Sequence, residues 1–202
     1  MATSVADTLD NEAQMSAGQK ELYVAVDIEA DGPIPGPYSM LSLGMAVVGR
    51  PNLTFYTELR PISDQFVPKA LAVCGLDRDR LKESAPDAHR AMASAAEWVD
   101  RVGQHGKPIF VAAPAVFDGM FVHWYFMRFL GRNPFAVNGA GVDIRSYWMG
   151  AQKVTWRETG RETIQKFLGV QLPPHTHNAL DDARELAALF EAVLVSCGKI
   201  DQ

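Results

Sequence analysis

The sequence predicts a mixed α/β domain. Three observations carry this reading. Strand-like runs crowd together at 22–29, 40–48 and 53–60; an Ala-rich helical tract starts at Val67; and a lone apolar run, 108–114, lies between helical patterns.

Residues 1–20 are polar, small and mildly acidic, and read as a disordered tail; 21–202 read as a single domain. LYVAVDIE, 22–29, is rich in β-branched residues and reads as the first strand. DGPIPGP, 31–37, is a Pro/Gly loop. MLSLGMAVV, 40–48, and LTFYTELR, 53–60, continue a meander, with a turn expected at Arg50-Pro51-Asn52. From Val67 the pattern is helical, with breaks near Gly75 and Pro86. PIFVAAP, 108–114, is a short strand, and the aromatic segment 117–130 is a helix stopped by Gly131. A Gly/Pro/Asn loop follows. A weaker helix ends at Gly169, and 178–197 forms the last one.

Composition bounds the function. Of 202 residues, 48% are apolar and 21% charged, so a sizeable core can form. Nineteen basic side chains face 24 acidic ones, a net charge of −5. That excludes a strongly basic coat protein for nucleic acid, but not an enzyme that grips a strand locally. Two cysteines, Cys74 and Cys197, make neither a disulfide framework nor a cysteine-only zinc site. No apolar run approaches the ~18 residues of a membrane span, and the first residues lack a basic-then-apolar leader. The expected compartment is cytoplasmic, with no membrane partner.

Several carboxylates look out of place. Alternation puts Asp27 and Glu29 on one face of the first strand, roughly 7 Å apart. Like charges there repel unless a cation sits between them or solvent covers them. Asp118 shares a stripe with Val122, Tyr125 and Phe129, so its carboxylate points toward the packed side, unless it serves as a helix cap. On the last helix Asp182 lines up with Leu186, Leu189 and Val193. Asp181 lines up instead with Glu185, Ala188 and Ala192, a more polar flank. A lone buried carboxylate is costly, so Asp182 needs a partner, whereas Asp181 is expected at the surface. His177 precedes this helix and can lean over Asp182. His175 and His177 form an H-x-H pair, but no cysteine or third nearby histidine completes a structural zinc site.

The order DIEADG, FDGMF, HNALDDA resembles the DEDDh 3′–5′ exonuclease family, the group that includes the proofreading epsilon subunit of bacterial replicases, ribonuclease T and oligoribonuclease. The family's D-x-E, its helix-borne Asp and its closing H-x4-D become Asp27 and Glu29, Asp118, then His177 and Asp182. The likeness runs from about residue 22 to 195, and HNALDDA is its most specific piece. Two neighbourhoods differ: Ala113-Pro114 stands where the family often has His-Asn, and Ala30-Asp31-Gly32 where it often has Thr-Thr-Gly.

The resemblance implies a ribonuclease H-like fold, a mixed sheet with its first three strands antiparallel and helices on both faces. It implies two Mg²⁺ or Mn²⁺ ions held by Asp27, Glu29, Asp118 and Asp182, with Asp27 bridging. Glu29 and Asp182 would hold the ion beside the attacking water, Asp118 would help hold the second, and His177 would act as general base. The expected activity is removal of nucleoside 5′-monophosphates from the 3′ end of single-stranded DNA or RNA, sugar preference being unreadable. Residues 145–166 carry a local charge of +3, which makes Arg145, Lys153, Arg157 and Arg161 candidates for phosphate contacts, or else parts of a solvated helical face. Tyr147, Trp148 and Trp156 among them suit base stacking or the core, and exposed aromatics would permit a homodimer. Asp143 is expected to be a structural acid on a strand or turn. The rival readings are a catalytically silent nucleic-acid- or partner-binding module of the same fold, a zinc-dependent hydrolase using His175, His177 and Asp182, and a small-molecule phosphodiesterase.

Overall fold

Alternation along the first strand sorts the molecule into layers. The computed structural model describes residues 20–135 and 141–200. Strand β1 (Glu21–Ala30) turns Leu22, Val24, Val26 and Ile28 to one face, where they pack against helices α3 (Ala88–Val102) and α4 (Ala115–Leu130) through Met92, Val99, Phe121 and Tyr125. The opposite face carries small residues. Ala25 of β1, Ala46 of β2 (Met40–Val47) and Val111 of β4 (Lys107–Ala112) meet Ala183, Leu186 and Phe190 of helix α7 (Ala179–Ser196). Bulky aliphatics on one side and alanines on the other let α7 ride close to the strands.

The sheet has the order β3-β2-β1-β4-β5, where β3 is Arg50–Glu58 and β5 is Gly141–Asp143. Strands β1 to β3 pair antiparallel; β4 joins β1, and β5 joins β4, in parallel. Helices α1 (Pro68–Cys74), α2 (Arg78–Ser84), α5 (Ile144–Gln152) and α6 (Arg161–Leu168) complete the elements named here. The mixed sheet expected from the resemblance is present, with helices on both faces.

Three local expectations change. The β2–β3 turn falls at Val48-Gly49, with Gly49 at φ +72°, rather than at Arg50-Pro51-Asn52. Pro51 lies inside β3, which is tolerable because β3 is a sheet edge and its missing N–H faces no neighbour there. Strand β5 answers to the strand or turn expected at Asp143, whereas helix α5 was not placed as an element. Asp143 joins them: its carboxylate accepts from the amides of Ser146 and Ala115 and so caps α5 and ties down the start of α4. The aromatic helix α4 is core, with Phe121, Tyr125 and Phe126 buried, as is Trp148. The tail 1–19 and residues 136–140 of the Gly/Pro/Asn loop lie outside the described residues.

One glycine sets the closest approach of the layers. Gly44 of β2 pairs with Asp27 of β1, and a Cβ there would overlap the Ala179 carbonyl and the Leu180 amide at the head of α7. Gly44→Ala is expected to destabilise the fold by about 1–3 kcal/mol through overpacking, read from denaturant unfolding. An unchanged midpoint would show that α7 does not bear on this strand.

Candidate active site

The site forms where β1 outruns its parallel neighbour. Pairing with β4 ends at Ala25, opposite Val111, so the last residues of β1 have no strand on that side. The backbone N–H of Ile28 needs another acceptor, and Asp118 Oδ1 supplies it at 3.1 Å. Asp118 is only 4% exposed, in the first turn of α4, and the N-cap position belongs to Pro114. The carboxylate is therefore not a cap. It is a cross-element acceptor set between the two acids of the first strand.

Asp27 and Glu29 lie on the α7 side of β1, in the row begun by Tyr23 and Ala25. Helix α7 is capped by Asn178, whose side chain accepts from the amides of Leu180 and Asp181. Its first turn puts Asp182 over the strand pair, 1% exposed. Carboxylate oxygens of Asp27, Glu29 and Asp182 fall within 4.8 Å of one another. Asp182 Oδ1 accepts from the Thr176 amide at 2.9 Å, and Oδ2 is buried with no hydrogen-bond partner among the described residues. Asp181 is half exposed beside Arg184, as its flank predicted. His177 is exposed, in the left-handed region at φ +56°, just ahead of the cap.

Burial and mutual repulsion raise the proton affinity of Asp27, Glu29 and Asp118. Burial, then the charges of Asp182 and Asp118, push Glu29 up to about 8. Burial pushes Asp118 to about 7 against the opposing bond from Ile28. Asp27 is also raised well above the usual range, by burial first and then by Asp118, Glu29, Asp182 and Glu185. Hard oxygen ligands, mutual repulsion and an orphaned buried oxygen fit divalent cations of the magnesium kind.

No protein-family model matches the chain. A curated relative, the 3′-5′ DNA exonuclease Cap18 of Escherichia coli, is 40% identical over 178 residues, spanning 86% of this chain and 92% of the relative. The chain belongs to the DEDDh 3′–5′ exonuclease family. The solved nuclease domain of 3′hExo, a DEDDh member bound to rAMP, superposes with a TM-score of 0.72 at 18% identity, covering 91% of this chain and 95% of that one. Exonuclease I superposes with a TM-score of 0.66 at 15% identity, over 87% of this chain and 41% of the other. At such identities the two structures speak for the ribonuclease H-like fold alone.

In this exonuclease the five residues of the motif converge on one end of the sheet, with Asp118 approaching from the α4 side and Asp182 from the α7 side. The four candidate cations are more scattered in role. Arg161 Nη1 pairs with Glu185 Oε1 at 2.5 Å. Arg145 lies 4.1 Å over the ring of Trp156 and donates to Thr159. Lys153 closes α5 in the left-handed region, and Arg157 is exposed. Tyr147 packs on Phe190, leaving Trp156 the exposed aromatic of the three.

Glu185 is a correction to the sequence reading. It was assigned to a polar flank, yet it is 2% exposed, one turn beyond Asp182. Arg161, from a helix distant in sequence, and His175 Nδ1, 3.3 Å from Oε2, supply the partners that permit burial. The i,i+3 spacing from Asp182 was the available signal.

On the folded chain Glu29 and Asp118 keep protons that the unfolded chain has released above its ordinary carboxylate pKa. The folded state then binds more protons, so stability present below about pH 4 is lost as the pH rises through about 7 and 8. In chelator the thermal midpoint is expected to be higher at pH 5 than at pH 8, and added Mn²⁺ to restore it at pH 8. Calorimetry giving a midpoint that climbs across this window would refute the crowded-acid arrangement.

Proposed function

We propose that this exonuclease removes nucleoside 5′-monophosphates from the 3′ end of single-stranded DNA with two divalent cations, Mg²⁺ or Mn²⁺. The observation that carries the reading is the partnerless Oδ2 of Asp182, buried among acids that cannot all ionise without added positive charge. DNA is chosen over RNA because the relative at 40% identity is a DNA exonuclease.

Asp27, Glu29, Asp118 and Asp182 would hold the ions. When bound, such a pair promotes ionisation of an attacking water and stabilises the charge on the leaving oxygen. His177 would take the proton from that water: it is exposed and brings a ring nitrogen close to Asp182. Ile28 N–H keeps the Asp118 carboxylate turned toward Asp27 and Glu29. Arg145, Lys153 and Arg157 contact substrate phosphates, while the charge of Arg161 is already committed to Glu185.

The test is a matched pair of 5′-labelled oligomers, one deoxy and one ribo, incubated with Mg²⁺ or Mn²⁺. A ladder shortening from the 3′ end of the deoxy strand is expected. Shortening of the ribo strand alone would reverse the sugar assignment. Asp182→Ala should cost about 10³-fold or more in rate, the several kcal/mol of lost charge stabilisation. Asp181→Ala should change the rate only about twofold, as for an ordinary surface position. Interchanged effects would mean the wrong aspartate has been assigned.

A further inference from the structure

The loop before α7 holds a second set of ligands with a different chemistry. His175, His177 and Asp182 each bring a donor atom within 4.8 Å of the others. The two imidazole rings stand edge to face with centroids 4.6 Å apart. His175 Nδ1 is 3.1 Å from Asp182 Oδ1. In a tetrahedral zinc site, with bonds near 2.0 Å, neighbouring donor atoms lie about 3.3 Å apart. The His175–Asp182 spacing is within a few tenths of an ångström of that. Glu185 Oε2 lies 3.3 Å from the same ring nitrogen, a further carboxylate oxygen beside these donors. Both rings are exposed, His175 by 41%, so an ion can enter from solvent.

We infer that His175, His177 and Asp182 form an inhibitory site for Zn²⁺, separate in ligand set from the all-oxygen site of Asp27, Glu29 and Asp182. Imidazole nitrogens favour zinc over magnesium, whereas carboxylate oxygens alone suit magnesium or manganese. The two sites share Asp182. A zinc ion on His177 also occupies the nitrogen lone pair that the proposed reaction needs for its proton. Zinc therefore removes two parts of the nuclease at once and leaves the fold intact. The binding claim stands on the ligands alone; the inhibition claim rests on the nuclease reading above.

The full-length chain, stripped of metal by chelator and dialysis, is titrated with Zn²⁺ against a chromophoric zinc chelator. One equivalent is expected to bind. Co²⁺ in its place should give the visible absorption of a four-coordinate ion with nitrogen and oxygen ligands. His175→Ala and His175→Asn, checked for folding by circular dichroism, should each weaken zinc binding at least tenfold, since even outer-shell changes cost about that much. In the nuclease assay at fixed Mg²⁺, each protein is scored against its own zinc-free rate. The His175 variants should need at least about tenfold more zinc for half-inhibition. Zinc binding of equal strength in wild type and both variants would overturn the site, as would no binding by the wild type. Zinc that supports cleavage without Mg²⁺ would overturn the inhibitory role. Because the chelator titration does not depend on cleavage, a chain that binds zinc but cuts nothing would support the site while refuting the nuclease reading.

Discussion

Mutual repulsion among buried acids is the constraint around which this molecule is arranged. Asp27, Glu29, Asp118 and Asp182 come from three elements, and each is partly or wholly removed from water. Nothing in ordinary folding favours such a gathering. It persists because the backbone leaves little choice: two acids alternate onto one face of β1, one is fixed to the Ile28 amide, and one rides on a helix seated against Gly44. Packing of the apolar layers drives these elements together and the carboxylates are carried along. The raised proton affinities of Asp27, Glu29 and Asp118 are the electrostatic record of that forced proximity.

The surrounding polar contacts pin the segments that flank the acids. Beyond Glu29 the chain enters a Pro/Gly loop. There Asp31, fully buried, accepts from the Ser39 amide and pairs with Arg78, whose guanidinium also donates to the carbonyls of Ser63 and Gln65. That one cation gathers the exit of β1 and the connection to α1 against a single carboxylate. A buried pair of this kind is poor evidence for net stability, since desolvation offsets much of the attraction, but loss of either partner would strand a charge. On the other side, Arg161 and His175 satisfy Glu185 and so join α6 and the loop before α7 to the helix that carries Asp182.

The resulting division of labour follows from chemistry. Oxygen donors collect on the strand and inner helix faces, where repulsion invites hard cations. Nitrogen donors collect on the exposed loop, where an imidazole can exchange protons with solvent or meet a softer ion. Asp182 stands between the two groups, and this explains why its burial, its loop contacts and its orphaned oxygen matter more than those of its neighbour Asp181.

By itself the sequence determined the class of the fold, most element positions and the contrast between Asp181 and Asp182. Those depend on periodicity, which is a local property: alternation along β1 and the apolar stripe of α7 can be read without knowing what they pack against. The resemblance then supplied the strand directions and gathered the distant motifs. Only the tertiary structure decided the rest. The burial of Glu185 required Arg161 from another helix. The orientation of Asp118 required a strand that ends early and frees the Ile28 amide, so its carboxylate accepts from another element and the cap alternative falls away. The place of Pro51 inside a strand required that strand to be at the edge, and the capping by Asp143 required β5 and α5 to meet. Each outcome depends on which distant backbone or charge arrives alongside, and a one-dimensional pattern does not carry that information.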